Sequence, residues 1–179
     1  MTALRDRLLE HVVDVPDFPS PGILFKDVSP LLADPVAFAA AIDAMAEGHL
    51  EQHVDRVVGI EARGFVLAAP LAYRLGAGFV PVRKPGKLPG AVHETAYALE
   101  YGENVLQVHR DLIAPGSRVL IADDVLATGG TAAAAARLVE ACGAELVGFT
   151  LLLELASLGG RAALAAARPG VPVSALLTV

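Results

Sequence analysis

Residues 118–142, RVLIADDVLATGGTAAAAARLVEAC, decide the fold. A short apolar run, Val119 to Ala122, leads into two carboxylates, Asp123 and Asp124. Val125 and Leu126 follow, then the small-residue turn Ala127-Thr128-Gly129-Gly130-Thr131, then an alanine-rich segment. A continuous apolar run of this length suits a strand buried on both faces, and alanine is the best helix former. The order is therefore strand, loop, helix. The loop has two chemical parts. The Asp pair offers acceptors for hydroxyl groups or for a hydrated metal. The Thr-Gly-Gly-Thr turn offers unhindered backbone N–H groups and two hydroxyls at the positive end of the helix dipole, where a phosphate is favoured. A ligand with a diol at one end and a phosphate at the other, such as a ribose 5-phosphate, satisfies both parts. A plain strand-to-helix connection with threonine as N-cap accounts for the turn but not for the acidic pair. No Gly-Lys-Ser/Thr follows, so this is not a Walker A loop.

The rest of the chain narrows the setting. Its 179 residues suit a single domain, 1–179, with room for a real core. Hydrophobic residues make up 54%, above the usual share, which points to alanine-rich helices and an oligomer interface. No apolar run is long enough to cross a membrane, and the opening MTALRDRLLE has no apolar signal core. With Cys142 as the one cysteine, an internal disulfide or a cysteine-based zinc site is excluded, and a cytoplasmic location is expected. A net charge of -6 argues against a general nucleic-acid binder. An anionic ligand would need a local cluster of cations.

Such clusters occur. Asp55 to Ile60 reads as a strand and Phe65 to about Leu75 as a helix, joined by Glu61-Ala62-Arg63-Gly64. An arginine at a helix start is poorly placed against the dipole unless an anion is present. Gly78 to Arg83 reads as a further strand, followed by Lys84-Pro85-Gly86-Lys87-Leu88-Pro89-Gly90. Arg83, Lys84 and Lys87 form either a solvated basic turn or, next to a phosphate loop, a diphosphate clamp.

Upstream, residues 3–12 form an amphipathic helix with Leu4, Leu8, Leu9 and Val12 on one side. Asp14 to Asp27 holds three prolines and a glycine and cannot be a long helix. It is either an arm wrapping the domain or its partner, or a loop covering a flat ligand with Phe18, Ile23, Leu24 and Phe25. Asp34 caps a helix from Pro35 to about Leu50. Downstream, Ala98 to Gly102 (ALEYG) alternates like a strand, with Asn104 to Val108 as its hairpin partner. His93-Glu94 opens like a zinc HExxH motif, but position 97 is Tyr, so that reading fails. Glu145 to Glu154 is an apolar strand, Arg161 to Ala167 a short helix and Val171 to Leu177 a last strand. Strand and helix alternating through short loops indicate an α/β fold, a parallel sheet with helices on both faces. The candidate sites all follow the carboxyl ends of strands, where open α/β sheets bind ligands.

The uninterrupted string of apolar run, Asp-Asp, two apolar residues and Ala-Thr-Gly-Gly-Thr resembles the signature of type I phosphoribosyltransferases, which bind 5-phosphoribosyl 1-diphosphate (PRPP). PDFPSPGILFKDVSPLLADP (Pro16 to Pro35), RKPGKLPG (Arg83 to Gly90), ALEYG and ELASLGG (Glu154 to Gly160) resemble the adenine-specific members. The likeness implies the fold of that family, with residues 14–34 as a small hood over the base and a short antiparallel flexible-loop arm. It implies transfer of phosphoribosyl from PRPP to adenine, giving AMP and diphosphate. It implies that Asp123, Asp124, Ala127, Thr128, Gly129, Gly130 and Thr131, with Arg63, Arg83, Lys84 and Lys87, bind PRPP or AMP. Leu24, Phe25, Lys26 and Leu158 would meet the adenine. Lys26 stands where the family often has Arg, keeping the charge but not the planar fork. Glu100, with Tyr101 beside it, and Asp123 would be catalytic. A strained, often cis, peptide is implied at Ala62–Arg63 or its neighbour. Mg²⁺ would travel with PRPP or diphosphate, reaching Asp123 and Asp124 through water rather than by direct ligation. A homodimer is implied, with part of the RKPGKLPG segment acting across its interface. The alternatives are a PRPP-sensing regulator without catalysis, or the same transfer to another purine.

Overall fold

The structure, a computed structural model, describes residues 2–98 and 103–179. Five parallel strands form the central sheet: β3 (Arg56–Ile60), β4 (Gly78–Val82), β7 (Arg118–Leu126), β8 (Glu145–Glu154) and β9 (Val173–Thr178), in the order β4-β3-β7-β8-β9. The reversal of direction of winding falls between β3 and β7. Crevices at the carboxyl ends of strands flanking such a point are where open parallel sheets hold ligands.

Alternation along the strands explains the two layers. On β7, Leu120 and Ala122 face one core, with Val57 of β3 and Leu152 of β8. That core is covered by α1 (Thr2–Leu9), α2 (Ser29–Ala33), α3 (Pro35–Glu47) and α4 (Gly64–Leu75). Val119 and Ile121 face the other core, with Val58 and Phe149, under α5 (Gly130–Ala141) and α6 (Gly160–Ala167). The expected parallel sheet with helices on both faces is what the chain forms. Asp34 accepts from the N–H groups of Val36 and Ala37, and Pro35 takes the first helical position, as read from the sequence.

Two elements lie outside the sheet. β1 (Val13–Pro16) and β2 (Leu24–Asp27) pair antiparallel into a hairpin. The Pro-rich tip between them contains the cis bond Phe18–Pro19, and Phe18 packs edge-on against Phe25 at 5.1 Å. β5 (Val92–Ala98) and β6 (Glu103–His109) form a second antiparallel arm. The sequence reading began the arm's first strand at Ala98. The described part of that strand starts earlier, at Val92, and its partner β6 covers the expected Asn104 to Val108. Leu99 to Gly102, and with them Glu100 and Tyr101, lie outside the described residues.

Candidate active site

β7 carries the first half of the site. The sequence reading ended this strand at Ala122 and put the Asp pair in the loop. The strand in fact runs on to Leu126, because Asp123, Val125 and Leu126 keep their pairing with Leu151, Leu153 and Glu154 of β8. Both carboxylates are thus held on rigid backbone, and both are buried. Asp123 Oδ1 accepts the Asp124 N–H at 3.0 Å. Burial, and then the neighbouring Asp124 carboxylate, push the Asp123 carboxyl well above the usual carboxylate range. Asp124 Oδ2 is ion-paired with Arg63 Nε but accepts no hydrogen bond of regular geometry among the described residues. Gly64 makes room for this arrangement: a Cβ there would lie 2.5 Å from Asp123 Oδ1.

The turn at Ala127–Thr131 ends in α5. Gly129 occupies the cap position with φ 84° and no side-chain cap, so neither threonine serves as N-cap. Its left-handed φ favours glycine, and a Cβ would also lie 2.8 Å from the Gly160 carbonyl oxygen. The first N–H groups of α5 are consequently left facing the cavity, without the side-chain acceptor that usually takes one of them.

The second half comes from β3, β4 and the hairpin. The peptide Glu61–Ala62 is cis, the neighbour of the bond singled out from the sequence. Glu61 is a site residue that the sequence reading passed over as a charged tip. Its carboxylate accepts from Arg83 Nε (3.3 Å), Arg83 Nη2 (3.2 Å) and the Lys84 N–H (3.0 Å). The Lys84 N–H first, and then Arg83, hold its pKa below the ordinary value. The guanidinium of Arg63 lies 5.1 Å from the Phe25 ring centroid, so the hairpin and the Asp pair are bridged by one side chain.

These pieces enclose a cavity of about 670 Å³. Its walls include Leu24, Phe25 and Lys26 from the hairpin, Arg63, both aspartates and the whole turn Ala127–Thr131. Four expected residues stand outside the lining. Lys84 and Lys87 are exposed on the loop after β4, and Arg83 is turned to Glu61. Leu158 is half-exposed on the single turn Ala156–Leu158, whereas Leu155, unassigned from sequence, lines the cavity. Lys26 Nζ is paired with Asp14 at 2.6 Å.

A buried acid pair beside a glycine turn at a helix start, roofed by an apolar hairpin, is an arrangement able to take a phosphorylated sugar with a flat partner. A model of the phosphoribosyl transferase domain matches residues 28–162, and the chain belongs to that family. Adenine phosphoribosyltransferase of Acidothermus cellulolyticus is 59% identical over 169 residues, covering 94% of this chain and 93% of that protein. The crystal structure of adenine phosphoribosyltransferase from Rhodothermus marinus superposes with a TM-score of 0.94 at 49% identity, covering 100% of both chains. That from Saccharomyces cerevisiae, complexed with an imino-altritol bisphosphate and adenine, gives 0.91 at 41%, covering 99% of this chain and 100% of that one. Within the family, the chain sits among the adenine phosphoribosyltransferases.

Proposed function

We propose that the protein transfers the 5-phosphoribosyl group of PRPP to adenine, releasing AMP and diphosphate. The observation that carries this reading is the single cavity joining the hairpin, the aspartates and the turn at α5. The turn Ala127–Thr131 takes the 5-phosphate through its N–H groups and hydroxyls. Asp123 and Asp124 take the ribose hydroxyls and stabilise positive charge as the bond to diphosphate breaks. Arg63, Arg83, Lys84 and Lys87 receive the departing diphosphate. Leu24, Phe25 and Lys26 cover the base, with Leu155 added to that wall and Leu158 retained as an outer contact. Glu100 is assigned the proton leaving the base, a role typically worth roughly 10²–10⁴-fold. Residues 14–34 act as the hood of one domain spanning 1–179.

Mg²⁺ fits as a companion of the diphosphate. The two carboxylates lining the cavity, Asp123 and Asp124, offer acceptors for a metal-bound water, while clusters of three or more potential protein ligands are absent among the described residues. The ion would supply charge neutralisation of the leaving group. We further assign the protein to the cytoplasm, as a homodimer. No described helix is long and apolar enough to cross a membrane.

The test is a product assay with Mg²⁺, PRPP and, separately, adenine, hypoxanthine, guanine and xanthine. AMP and diphosphate in equal amounts from adenine alone are the expected result. PRPP binding without product from any base would overturn catalysis in favour of a PRPP sensor.

A further inference from the structure

Tyr97 stands behind the wall of the cavity. It belongs to β5 of the arm, and its hydroxyl lies 3.3 Å from the Thr131 hydroxyl at the start of α5. Thr131 lines the cavity; Tyr97 does not. The tyrosine ring is half-buried and packs against the apolar core under α5. Its strand is also gripped from the same helix. Arg137 donates to Thr95 Oγ1 at 3.2 Å and to the Ala96 carbonyl at 3.1 Å. Ring packing and the Arg137 clamp already anchor β5 on α5, so the Tyr97 hydroxyl is not needed to hold the arm in place.

Hydroxyl chemistry gives it a different task. Thr131 has one proton to donate and two lone pairs that accept. The 3.3 Å contact can take that proton on the Tyr97 oxygen or be donated from the tyrosine side. An anion at the turn needs the proton for itself, since a hydroxyl serves an anion only as donor. Tyr97 can reverse its own O–H and donate back to Thr131 Oγ1. The pair then reads Tyr97 to Thr131 to anion, each bond polarising the next. The present 3.3 Å is longer than a settled hydroxyl pair, which leaves room for shortening as the anion draws the chain tight.

We propose that Tyr97 is a positioning residue for the 5-phosphate, orienting the Thr131 hydroxyl as a donor by giving its own proton to Thr131. The proposal rests on reading the turn at 127–131 as the 5-phosphate site. Tyr97 itself touches neither substrate nor reacting atoms.

Tyr97→Phe keeps the ring and removes the hydroxyl. Ribose 5-phosphate binding is measured by calorimetry, with ribose as the control lacking phosphate, alongside KM and kcat for each substrate. The expected result is a rise of roughly fivefold in Kd for ribose 5-phosphate and in KM for PRPP, the worth of one hydrogen bond. The KM for adenine and kcat stay within about twofold, a split that a general loosening of the arm would not give. Thr131→Val and the double variant complete the cycle, with a melting curve for each variant to show that it is folded. The double variant should bind no worse than Thr131→Val alone. Unchanged affinity in Tyr97→Phe, or full additivity in the cycle, would overturn the role of Tyr97 while leaving the phosphate site standing. Failure of the unaltered protein to prefer ribose 5-phosphate over ribose would overturn the phosphate site and this proposal together.

Discussion

The two halves of the cavity are prepared in different ways. The β7–α5 half is finished before any ligand arrives. Its carboxylates sit on a strand paired through to Leu126, and its anion-binding groups are backbone N–H groups, which carry no net charge. The β3–β4 half is built of full cations, and an acidic chain gives each engaged cation an internal carboxylate. Arg63 is paired with Asp124 and Arg83 with Glu61. Dipoles can be aimed at empty space at little cost, whereas charges in a partly buried cleft are costly unless paired. On the proposed function, a diphosphate entering the second half exchanges partners, and a phosphate entering the first half docks.

The sharpest way to break this comparison is to disturb the finished half. A Cβ on Gly160 would run into the Ala127 carbonyl oxygen and push the turn. Gly160→Ala should lower kcat/KM for PRPP by about 100-fold, the cost of misplacing a bound group by roughly 1 Å. A steady-state assay at saturating adenine reads it. A loss below threefold would mean the turn is more yielding than the comparison allows.

The exchanging half should respond less. Glu61→Gln removes the charge that gathers Arg83 and the Lys84 N–H, and KM for PRPP should rise about tenfold with kcat nearly kept. A fall in KM would show instead that Glu61 competes with the diphosphate for Arg83.

Stability sharpens the contrast from the other side. Asp123 has a folded pKa raised above its unfolded value, so the folded state binds this proton more tightly. Its ionisation therefore subtracts stability as pH rises from the ordinary carboxylate range through the raised value. Asp123→Asn should raise Tm by about 3–6 °C once the pH has passed the raised value and the native carboxylate is charged. The gain should shrink as pH falls and the native carboxyl becomes protonated. Calorimetry over that range checks it, and activity should drop while stability grows. The smallest effect is expected at the rim. Lys26 is tied to a half-exposed Asp14, and such pairs contribute little. Lys26→Met should change KM for adenine by about threefold and KM for PRPP by less.

Much of this was legible in the chain itself. The apolar run, the paired carboxylates and the glycine turn identify β7, α5 and the ligand type, because each signal is local. Strand ends were harder. Carboxylates look like loop residues, yet Asp123 stays in register because its neighbour on β8 continues. The arm's second strand is legible as Asn104 to Val108, whereas the start of its first strand at Val92 is not, because Val92 to Ala98 is short, polar and next to a proline-rich loop. Side-chain partners distant in sequence left no trace at all. Nothing in the spacing tells that Arg83 turns to Glu61, that Tyr97 meets Thr131, or that Leu155 rather than Leu158 lines the cavity. These depend on how the finished layers stack.

The contact between Gly129 and Gly160 has a bearing on how such an enzyme can change its choice of base. Backbone meets backbone there, so the turn proposed to hold the phosphate and the loop proposed to wall the base form one mechanical unit. Remodelling residues 155–160 to admit another purine would be felt at once in the grip on the sugar phosphate. Among the described residues, the β1–β2 hairpin is linked to the site through the side chain of Arg63. On the proposed function, innovation in the acceptor is thus channelled to the hairpin, a wall that can be rewritten with little disturbance of the donor site.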